Sequence, residues 1–300
     1  MNFERVDERA EEEIRKMLAL TSYEGSEFSE LYRRGWHFYD YSHMQWAKCG
    51  ESIFIRFKPK GGFGDCENFV YLPPLTKIAN VRSAVEQIVA FVKESGEHAC
   101  IMALPQEYVD ALSGSGLDTE NSNPDFEEYL YSPEDLITLA GKKFHGKRNH
   151  VARFCKTYEG RYVFRPYTAA DKQGLLDLYA KWSEGKEDEG TLMDEFHLLA
   201  LGLQMTHEGK TFADVMEIDG EIVGFALGEI TASNVAIVHI EKGETRFDGI
   251  YAAINKMFAE RHYQGVRLVN RQEDMGLEGL RKSKLSYRPV KMVKKYVIRI

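Results

Sequence analysis

The second half of the chain carries helical and strand-like segments in a fixed order, and this order constrains the fold more than any other feature. Its clearest part is a pair of apolar runs joined by Asp219-Gly220, a dipeptide that strongly favours a two-residue β-hairpin turn. The predicted segments are a strand at Arg161–Pro166, two helices, strands at Phe212–Ile218, Ile222–Ile230 and Asn234–Lys242, a helix at Ile250–Phe258, a strand at Val266–Val269, a helix at Leu277–Lys284 and a strand at Lys291–Ile300. Three antiparallel strands followed by a βαβ crossover predict a mixed, mostly antiparallel sheet with helices on both faces.

The first half repeats this order in a weaker form. Two strand-like runs, Ser52–Phe57 and Asn68–Leu72, precede a helix whose apolar residues recur from Val81 to Val92. The apolar runs Ala99–Leu104 and Tyr129–Tyr131 follow that helix, and we expect both to be strands of the first half. The chain is therefore predicted to be an α+β protein made of two similar units.

The repeat divides the chain into domains at residues 1–131 and 160–300, with a connecting helical segment at 132–159. This segment is basic, since no acid occurs from 136 to 158, and the chain after Glu278 is likewise free of acids. The formal net charge of the whole chain is −8, so we expect no general affinity for nucleic acid. The two basic segments can form a local site for an anion, or they can be solvated stripes on the surface.

The sequence shows no sign of a targeting or membrane-spanning segment. The N-terminus is acidic and lacks the apolar region of a signal peptide, and no run approaches the roughly 20 apolar residues that span a bilayer. The four cysteines are widely spaced without a Cys-x-x-Cys pair, which predicts neither a zinc site nor a disulfide framework. We expect a cytoplasmic protein with no integral membrane segment and no metal requirement, whose oligomeric state the sequence leaves open.

Three runs of the sequence, taken together, resemble one known family. They are YSPEDLITLAGKKFHGKRNHVARF, VHIEKGETRFDGIYAAINKMF and VNRQEDMGLEGLRKSKLSYRPV. They resemble the C-terminal domain family of phosphatidylglycerol lysyltransferase from about Tyr129 to the end, with a weaker likeness over the first half. The resemblance implies two tandem GNAT (acyl-CoA N-acyltransferase-like) domains, related to the Fem-type transferases. It also implies aminoacyl-tRNA as donor, the tRNA acceptor arm as partner, and a small-molecule or peptide acceptor.

Two residues are candidates for catalysis. Glu241 ends the predicted fourth strand of the second half, where a partly buried carboxylate can take a proton from an attacking amine. The alternative for Glu241 is an ordinary charge at a strand end. Tyr287 follows the last predicted helix, and GNAT enzymes often use a tyrosine near the last strand to protonate the leaving group. Alternatively, Tyr287 packs at the helix end.

The run GETRFDGIYAA partly matches the Q/R-x-x-G-x-G/A loop on which GNAT domains rest the pyrophosphate of acetyl-CoA. Arg246 and Gly249 match its first two fixed positions, but Tyr251 stands where a small residue is usual. Glu244 and Asp248 would also repel a pyrophosphate. We interpret the run as an altered or lost acetyl-CoA loop, or as a plain helix start capped by Asp248.

Further polar residues in the basic segments and after the fifth strand are candidates for substrate binding. Those expected to contact a carboxylate, phosphate or amino group of the substrates are Lys142, Lys147, Arg148, Asn270, Arg271, Glu273, Asp274, Lys282 and Lys284. The alternatives are a polar turn after the strand and solvated helix faces.

Three functions are compatible with these residues. The first is an acyl or aminoacyl transferase that moves an amino acid from aminoacyl-tRNA to an unidentified amine or hydroxyl. The second is an acetyl-CoA-dependent N-acyltransferase, which the imperfect loop weakens. The third is a GNAT-fold binding module that keeps a basic cleft without turnover.

Overall fold

The fold is described for residues 1–35, 42–59, 69–186 and 189–300 in a computed structural model. The helices of this part are α1 (Glu8–Leu20), α2 (Glu30–Gly35), α3 (Val81–Ser95), α4 (Gln106–Ala111), α5 (Pro133–Thr138), α6 (His145–Thr157), α7 (Lys172–Ser183), α8 (Glu189–Thr206), α9 (Ile250–His262) and α10 (Glu278–Leu285). Its strands are β1 (Glu4–Arg5), β2 (Ser42–Cys49), β3 (Ser52–Lys58), β4 (Phe69–Tyr71), β5 (Ala99–Pro105), β6 (Glu120–Asn121), β7 (Glu128–Tyr131), β8 (Tyr162–Pro166), β9 (Phe212–Ile218), β10 (Glu221–Ile230), β11 (Val235–Gly243), β12 (Leu268–Asn270), β13 (Lys291–Val293) and β14 (Lys295–Arg299).

The strands form two mixed sheets. The first has the order β1-β2-β3-β4-β5-β14-β6, and the second has the order β13-β7-β12-β11-β10-β9-β8. Each sheet contains one parallel pair, β4 with β5 and β11 with β12, among antiparallel neighbours. The expected α+β architecture of two tandem GNAT domains is confirmed.

Local sequence signals account for several element boundaries. Asp219 and Gly220 both have positive φ angles, 53° and 82°, in the tight turn that joins β9 and β10. A turn of this kind suits Asp-Gly because glycine has no Cβ to clash in the left-handed region. Helix α3 buries Val81, Val85, Ile88 and Val92 on one face, as their spacing predicts.

The two sheets exchange strands. The run Tyr129–Tyr131, expected to close the first half, belongs to β7 and lies in the second sheet between β12 and β13. The run Lys291–Ile300, expected as one last strand of the second half, divides into β13 and β14. Strand β14 lies in the first sheet between β5 and β6. Each half therefore supplies one strand to the sheet of the other.

A buried charged cluster lies where the two halves exchange strands. The carboxylate of Glu128 accepts hydrogen bonds from Ser26 Oγ and Asn270 Nδ2, each 2.5 Å long, and pairs with Lys295 Nζ at 2.8 Å. Burial alone would raise the pKa of Glu128, but Lys295 and the two hydrogen bonds outweigh burial and lower it. The charge of Glu128 is thus stabilised inside the protein by Lys295, which also pairs with the buried carboxylate of Glu27 at 2.7 Å.

Two further features concern membrane-spanning helices and the cysteines. No helix of the described ranges is both long and apolar enough to cross a bilayer. Cys49 and Cys155 are free, whereas Cys100 takes part in a disulfide bond. The expectation that the cysteines form no disulfide is therefore wrong at Cys100, because spacing along the chain does not reveal which thiols the fold brings together.

Candidate functional site

The parallel strands β11 and β12 pair over only three residues each, because β12 ends at Asn270. The last paired residues are Ile237 and Asn270, after which β11 continues to Gly243. A register shift between β10 and β11 leaves His239 without an opposite residue, and a bulge of this kind increases the twist of a strand. We call the space between the end of β11 and the residues after β12 the β11–β12 gap.

Glu241 and Arg271 face each other across the β11–β12 gap. Both carboxylate oxygens of Glu241 lie 3.4 Å from Arg271 Nη2, and the two side chains are only 10% and 11% exposed. Asn255 of α9 donates from Nδ2 to the same carboxylate at 3.4 Å. Burial works against the charge of Arg271, but Glu241 together with three nearby tyrosine hydroxyls outweighs burial and raises the pKa of the guanidinium. The pair is therefore a stable, water-shielded dipole at the gap.

Tyr287 and Lys147 form one wall of the gap. The Tyr287 ring centroid lies 4.8 Å from Arg271 Cζ and 3.9 Å from Lys147 Nζ. Burial raises the pKa of Tyr287 to about 12, so its hydroxyl keeps its proton at neutral pH. Burial and the nearby guanidinium of Arg271 lower the pKa of Lys147 to about 8, so its amine titrates close to neutral pH.

Three buried polar atoms around the gap have no hydrogen-bond partner among the residues that the structure describes. They are Arg271 Nη1, Asn255 Oδ1 and the hydroxyl of Tyr263 at the end of α9. Tyr263 is 1% exposed and lies close enough to Arg271 and Glu241 to interact with their charges. A buried polar group left unpaired costs about 1–3 kcal/mol, so several in one place indicate room for a polar ligand or for ordered water.

The side chains around the gap include both acceptors and donors of hydrogen bonds. The Glu241 carboxylate and Asn255 Oδ1 can accept hydrogen bonds from an amino group. Arg271 Nη1 and the hydroxyls of Tyr263 and Tyr287 can donate to a carbonyl or leaving oxygen. A site of this kind can hold an acyl group that carries an amine, and it can both accept and supply a proton.

Two of the candidate binding residues from the basic segments instead hold the backbone. Arg148 donates to the carbonyl oxygens of Leu139 and Gly141, which fixes the chain before α6. Lys284 is buried and donates to the carbonyl oxygens of residues 271–273. Lys284 thus fixes the segment that carries Arg271, and neither residue reaches into the gap as the sequence had led us to expect.

The remaining polar candidates after β12 and on α10 also lie outside the gap. Asn270 is taken up by the Glu128 cluster, and Asp274 accepts hydrogen bonds from Tyr129 and Arg281. Lys142 and Lys282 are exposed, and Glu273 is half-buried with its carbonyl on Lys284. These side chains hold structural or surface positions in this fold, and a contact between any of them and a substrate stays a prediction.

The partial acetyl-CoA loop has a different use in this fold. Arg246 is about half exposed and pairs with Glu244 and Glu221. Gly249 has φ +87°, and a Cβ there would lie 2.7 Å from the carbonyl oxygen of His150 on α6. Glycine is therefore required by the close approach of α6, which covers the start of α9 where a pyrophosphate would rest. This geometry argues against acetyl-CoA binding at the loop.

The other cavities, and the side chains that could bind a metal ion, are weaker candidates for the functional site. A cavity of about 480 Å³ near Cys155 is shallow, and a cavity of about 1060 Å³ lies between α1, α2 and α8. In the larger one, Arg33 and Arg34 are already paired with Glu11 and Glu208. Within the described ranges, no three His, Cys, Asp or Glu side chains are placed to hold a metal ion. The β11–β12 gap is thus the better candidate site.

Sequence reasoning missed Asn255 and Tyr263. Asn255 falls on the buried face of α9 and is 1% exposed, and a polar residue at a core position of a helix was a signal that could have been used. Tyr263 follows α9 directly and reads as an ordinary aromatic core residue, because its free hydroxyl is evident only from its surroundings.

Comparison with known proteins relates the chain to a family. The model of the family described as "Phosphatidylglycerol lysyltransferase, C-terminal" matches residues 20–299. An uncharacterized protein of Mycoplasmoides gallisepticum is 27% identical over 200 residues, which are 64% of this chain and 65% of that protein, somewhat under two thirds of its length.

Two solved structures are similar over nearly their whole length. A conserved protein of unknown function from Bacteroides thetaiotaomicron is 27% identical, with a TM-score of 0.88 over 100% of this chain and 99% of that chain. L-PGS from Bacillus licheniformis is 16% identical, with a TM-score of 0.67 over 98% and 92% of the two chains. The second likeness concerns the fold alone. Since the family model covers most of the sequence, the chain belongs to the phosphatidylglycerol lysyltransferase C-terminal family.

Proposed function

We propose that this protein is an aminoacyltransferase that moves an amino acid from aminoacyl-tRNA to an amine or hydroxyl acceptor at the β11–β12 gap. One observation carries the proposal: the buried Glu241–Arg271 pair lies beside Tyr287 and Lys147 and beside polar atoms without partners. Membership in the family supports an acyl or aminoacyl transferase of GNAT fold. The donor and the acceptor are the parts that we add.

The side chains of the gap suit such a transfer step by step. The acceptor nitrogen attacks the carbonyl carbon of the aminoacyl ester, so that a C–N bond forms and the C–O bond to the ribose breaks. The proton of the attacking amine passes to Glu241, and the departing ribose oxygen takes the proton of Tyr287. A proton then returns from Glu241 to the tyrosine through solvent, which restores both groups. An acceptor hydroxyl would react in the same way and give an ester.

Arg271 and Tyr263 have a supporting role in this scheme. Their unpaired donors can bind the carbonyl oxygen as negative charge develops on it, which lowers the barrier without moving the protein. Asn255 Oδ1 can accept from the amino group of the transferred residue. This polar end distinguishes an aminoacyl group from an acetyl group, which has no amine.

Lys147 gives the donor a positive contact at the gap. It belongs to α6, whose exposed basic residues extend the positive surface away from the gap, among them Lys156. Contacts between lysines and tRNA phosphates would weaken as salt is added. The proposal requires the cytoplasm, where aminoacyl-tRNA is made.

Calorimetry with three ligands tests the donor. The purified protein is titrated with lysyl-tRNA, which the family name makes the first donor to try, with the same tRNA uncharged, and with acetyl-CoA. We expect the charged tRNA to bind more tightly than the uncharged one, and acetyl-CoA not to bind. Tight acetyl-CoA binding would overturn the proposal in favour of an N-acyltransferase.

A transfer assay tests turnover. Lysyl-tRNA carrying labelled lysine is incubated with the protein and a panel of amines and hydroxyl compounds, and the label is followed by chromatography into acceptor products that are separated from the tRNA and from free lysine. The variant Glu241→Gln serves as the matched control, because it removes the proton acceptor and keeps the shape. Donor binding without transfer to any acceptor would leave a binding module without catalysis.

A further inference from the structure

A pair of side chains joins β11 to the chain after β12 at the point where backbone pairing has ended. The last paired residues are Ile237 and Asn270, and His239 and Gln272 follow them by two positions each. Gln272 Nε2 lies 3.1 Å from His239 Nδ1, which is hydrogen-bond distance. We call this contact the His239–Gln272 rung. It extends the connection between the two strands into the β11–β12 gap.

The rung is close in sequence to both residues of the charged pair in the gap. His239 precedes Glu241 by two positions on β11, and Gln272 directly follows Arg271. Gln272 has φ 57°, in the left-handed region that a residue with a side chain seldom occupies. A conformation of this kind persists only where the surroundings fix it, and it is common at functional sites. Glu241 and Arg271 are thus carried on the two segments that the rung ties together.

A buried carboxylate determines the tautomer of His239. Glu229 of β10 is 2% exposed, and its Oε2 lies 3.5 Å from His239 Nε2. This distance is long for a hydrogen bond, so Glu229 orients the ring mainly by charge. A carboxylate repels the lone pair of an unprotonated ring nitrogen, and the proton of a neutral His239 therefore belongs on Nε2. Nδ1 is then the acceptor, to which the amide of Gln272 donates.

Helix α2 of the first half holds both members of the rung. Tyr32 of α2 donates from its hydroxyl to Gln272 Oε1 at 2.9 Å, which directs the amide nitrogen toward His239. The Tyr32 ring also packs edge-on against the His239 ring, with centroids 5.1 Å apart. Glu229 in turn accepts hydrogen bonds from two backbone nitrogens at the start of α2, 2.8 and 3.0 Å away. The first half therefore orients the amide directly and the imidazole through Glu229.

We propose that His239 and Gln272 are positioning residues that set the spacing of Glu241 and Arg271, and that α2 holds them in place. Backbone hydrogen bonds fix the separation of two strands where they are paired, and beyond that point side chains have to fix it. Transfer needs Glu241 beside the attacking amine and Arg271 beside the carbonyl oxygen at the same time. A displacement of about 1 Å can cost on the order of a hundredfold in rate. This role rests on the proposed function, whereas the geometry of the rung does not.

Transfer kinetics test the role of the rung. Single-turnover rates at saturating lysyl-tRNA are compared with the dissociation constant of the donor in Gln272→Leu and His239→Phe. Each variant removes one partner of the rung and keeps a side chain of similar size, so the rate should fall about ten- to a hundredfold while the dissociation constant changes less than about threefold. His239→Asn, whose Oδ1 can replace Nδ1 as acceptor, should recover most of the rate. Rates within about twofold of the parent in both variants would overturn the proposal.

Two further variants separate the rung from general contact between the halves. Tyr32→Phe removes only the hydroxyl on Gln272, and the rate should fall about three- to tenfold; an unchanged rate would overturn the part assigned to α2. Ser233→Ala is the matched control, because Ser233 donates to the carbonyl oxygen of Tyr23 at 2.7 Å and joins the halves before β11 begins. It should keep the parent's rate. An equal fall in Ser233→Ala and Gln272→Leu would remove the special role of the rung.

A measurement without donor or acceptor separates this role from the proposed function. The nitrogen–proton NMR signal of the Arg271 guanidinium, assigned by its loss in Arg271→Lys, reports how firmly Glu241 holds it in the free protein. We expect Gln272→Leu to shift or broaden this signal and Ser233→Ala to leave it unchanged. If the parent transfers nothing, the proposed function fails, and an altered signal still supports the rung. An unaltered signal in Gln272→Leu would overturn the rung whatever the turnover.

Discussion

Each half of the molecule contains one parallel strand pair, but the side chains beside the two pairs differ in character. In the first sheet, β4 pairs with β5 from Phe69 to Tyr71. The residues that follow β4 continue to hydrogen-bond with β3, and Leu72 and Leu75 among them are completely buried. In the second sheet, β11 continues past its pairing with β12 and carries Glu241 into the gap. The first copy of the arrangement is thus closed by apolar side chains, and the second is lined by charged and polar ones.

A charged residue beside the β4–β5 pair shows the same difference. Arg56 of β3 donates to Gln45 and to the hydroxyl of Tyr71, lies 3.4 Å from Glu97 and stacks on Phe69. In contrast, Arg271 keeps one buried nitrogen without a partner among the described residues. The comparison teaches that the shared strand order provides the fold, whereas the side chains beside each parallel pair decide whether a site forms there.

The largest effect on turnover is expected at the carboxylate of Glu241, with Glu97 in the first half as its comparison. Glu241→Gln should lower transfer turnover by about 10²–10⁴-fold, because the amide cannot accept the proton of the acceptor. Glu97→Gln in the first half should leave turnover unchanged. Single-turnover transfer rates measure both, and the proposed asymmetry between the halves fails if the two variants behave alike.

The two buried arginines sharpen the comparison through stability. Arg271→Met leaves the buried carboxylate of Glu241 without its partner and should lower the free energy of unfolding by about 3–5 kcal/mol. Arg56→Met should lower it less, by about 1–2 kcal/mol, since Glu97 is 22% exposed and stays solvated. Urea unfolding followed by circular dichroism gives both values. Equal losses in the two variants would contradict the prediction that the Glu241–Arg271 pair contributes more to stability than the Arg56–Glu97 pair.

The two buried tyrosines should differ in turnover by about ten- to a hundredfold. Tyr287→Phe removes the proton offered to the leaving oxygen, whereas Tyr108→Phe in the first half removes a hydroxyl that donates to Thr76. We expect kcat to fall for the first variant with little change in KM, and neither constant to change for the second. A rise in KM with kcat unchanged would assign Tyr287 to binding instead.

The smallest effect is a pH dependence of donor binding. The pKa of Lys147 is lowered to about 8, so its charge is present below that pH and is lost as the pH rises through it. Affinity for aminoacyl-tRNA should therefore fall by less than about tenfold between pH 7 and 9. Lys147→Arg should remove this dependence, while Lys143→Arg, on an exposed lysine paired with Asp135, should keep it. A dependence that survives Lys147→Arg would belong to another group.

The sequence predicts the elements of the second half better than those of the first, and it predicts local turns and helices better than contacts between distant residues. The Asp-Gly turn and the helical spacing in α9 are local signals, and both are confirmed. Strand exchange is not local, because β7 and β14 are short and nothing in their residues names a partner sheet. Neighbours on one helix also diverge: Lys147 reaches the gap and Arg148 binds backbone carbonyls, since consecutive side chains point about 100° apart.

Strand β14 also sets a limit on when the protein can mature during synthesis. Its residues, Lys295–Arg299, are synthesised long after β5 and β6, yet they fill the position between these two strands. Until then β5 offers an open edge to other chains, and the ion partner of Glu128 has not been made. Loss of β14 would therefore damage the first sheet, although its residues lie in the second half of the sequence.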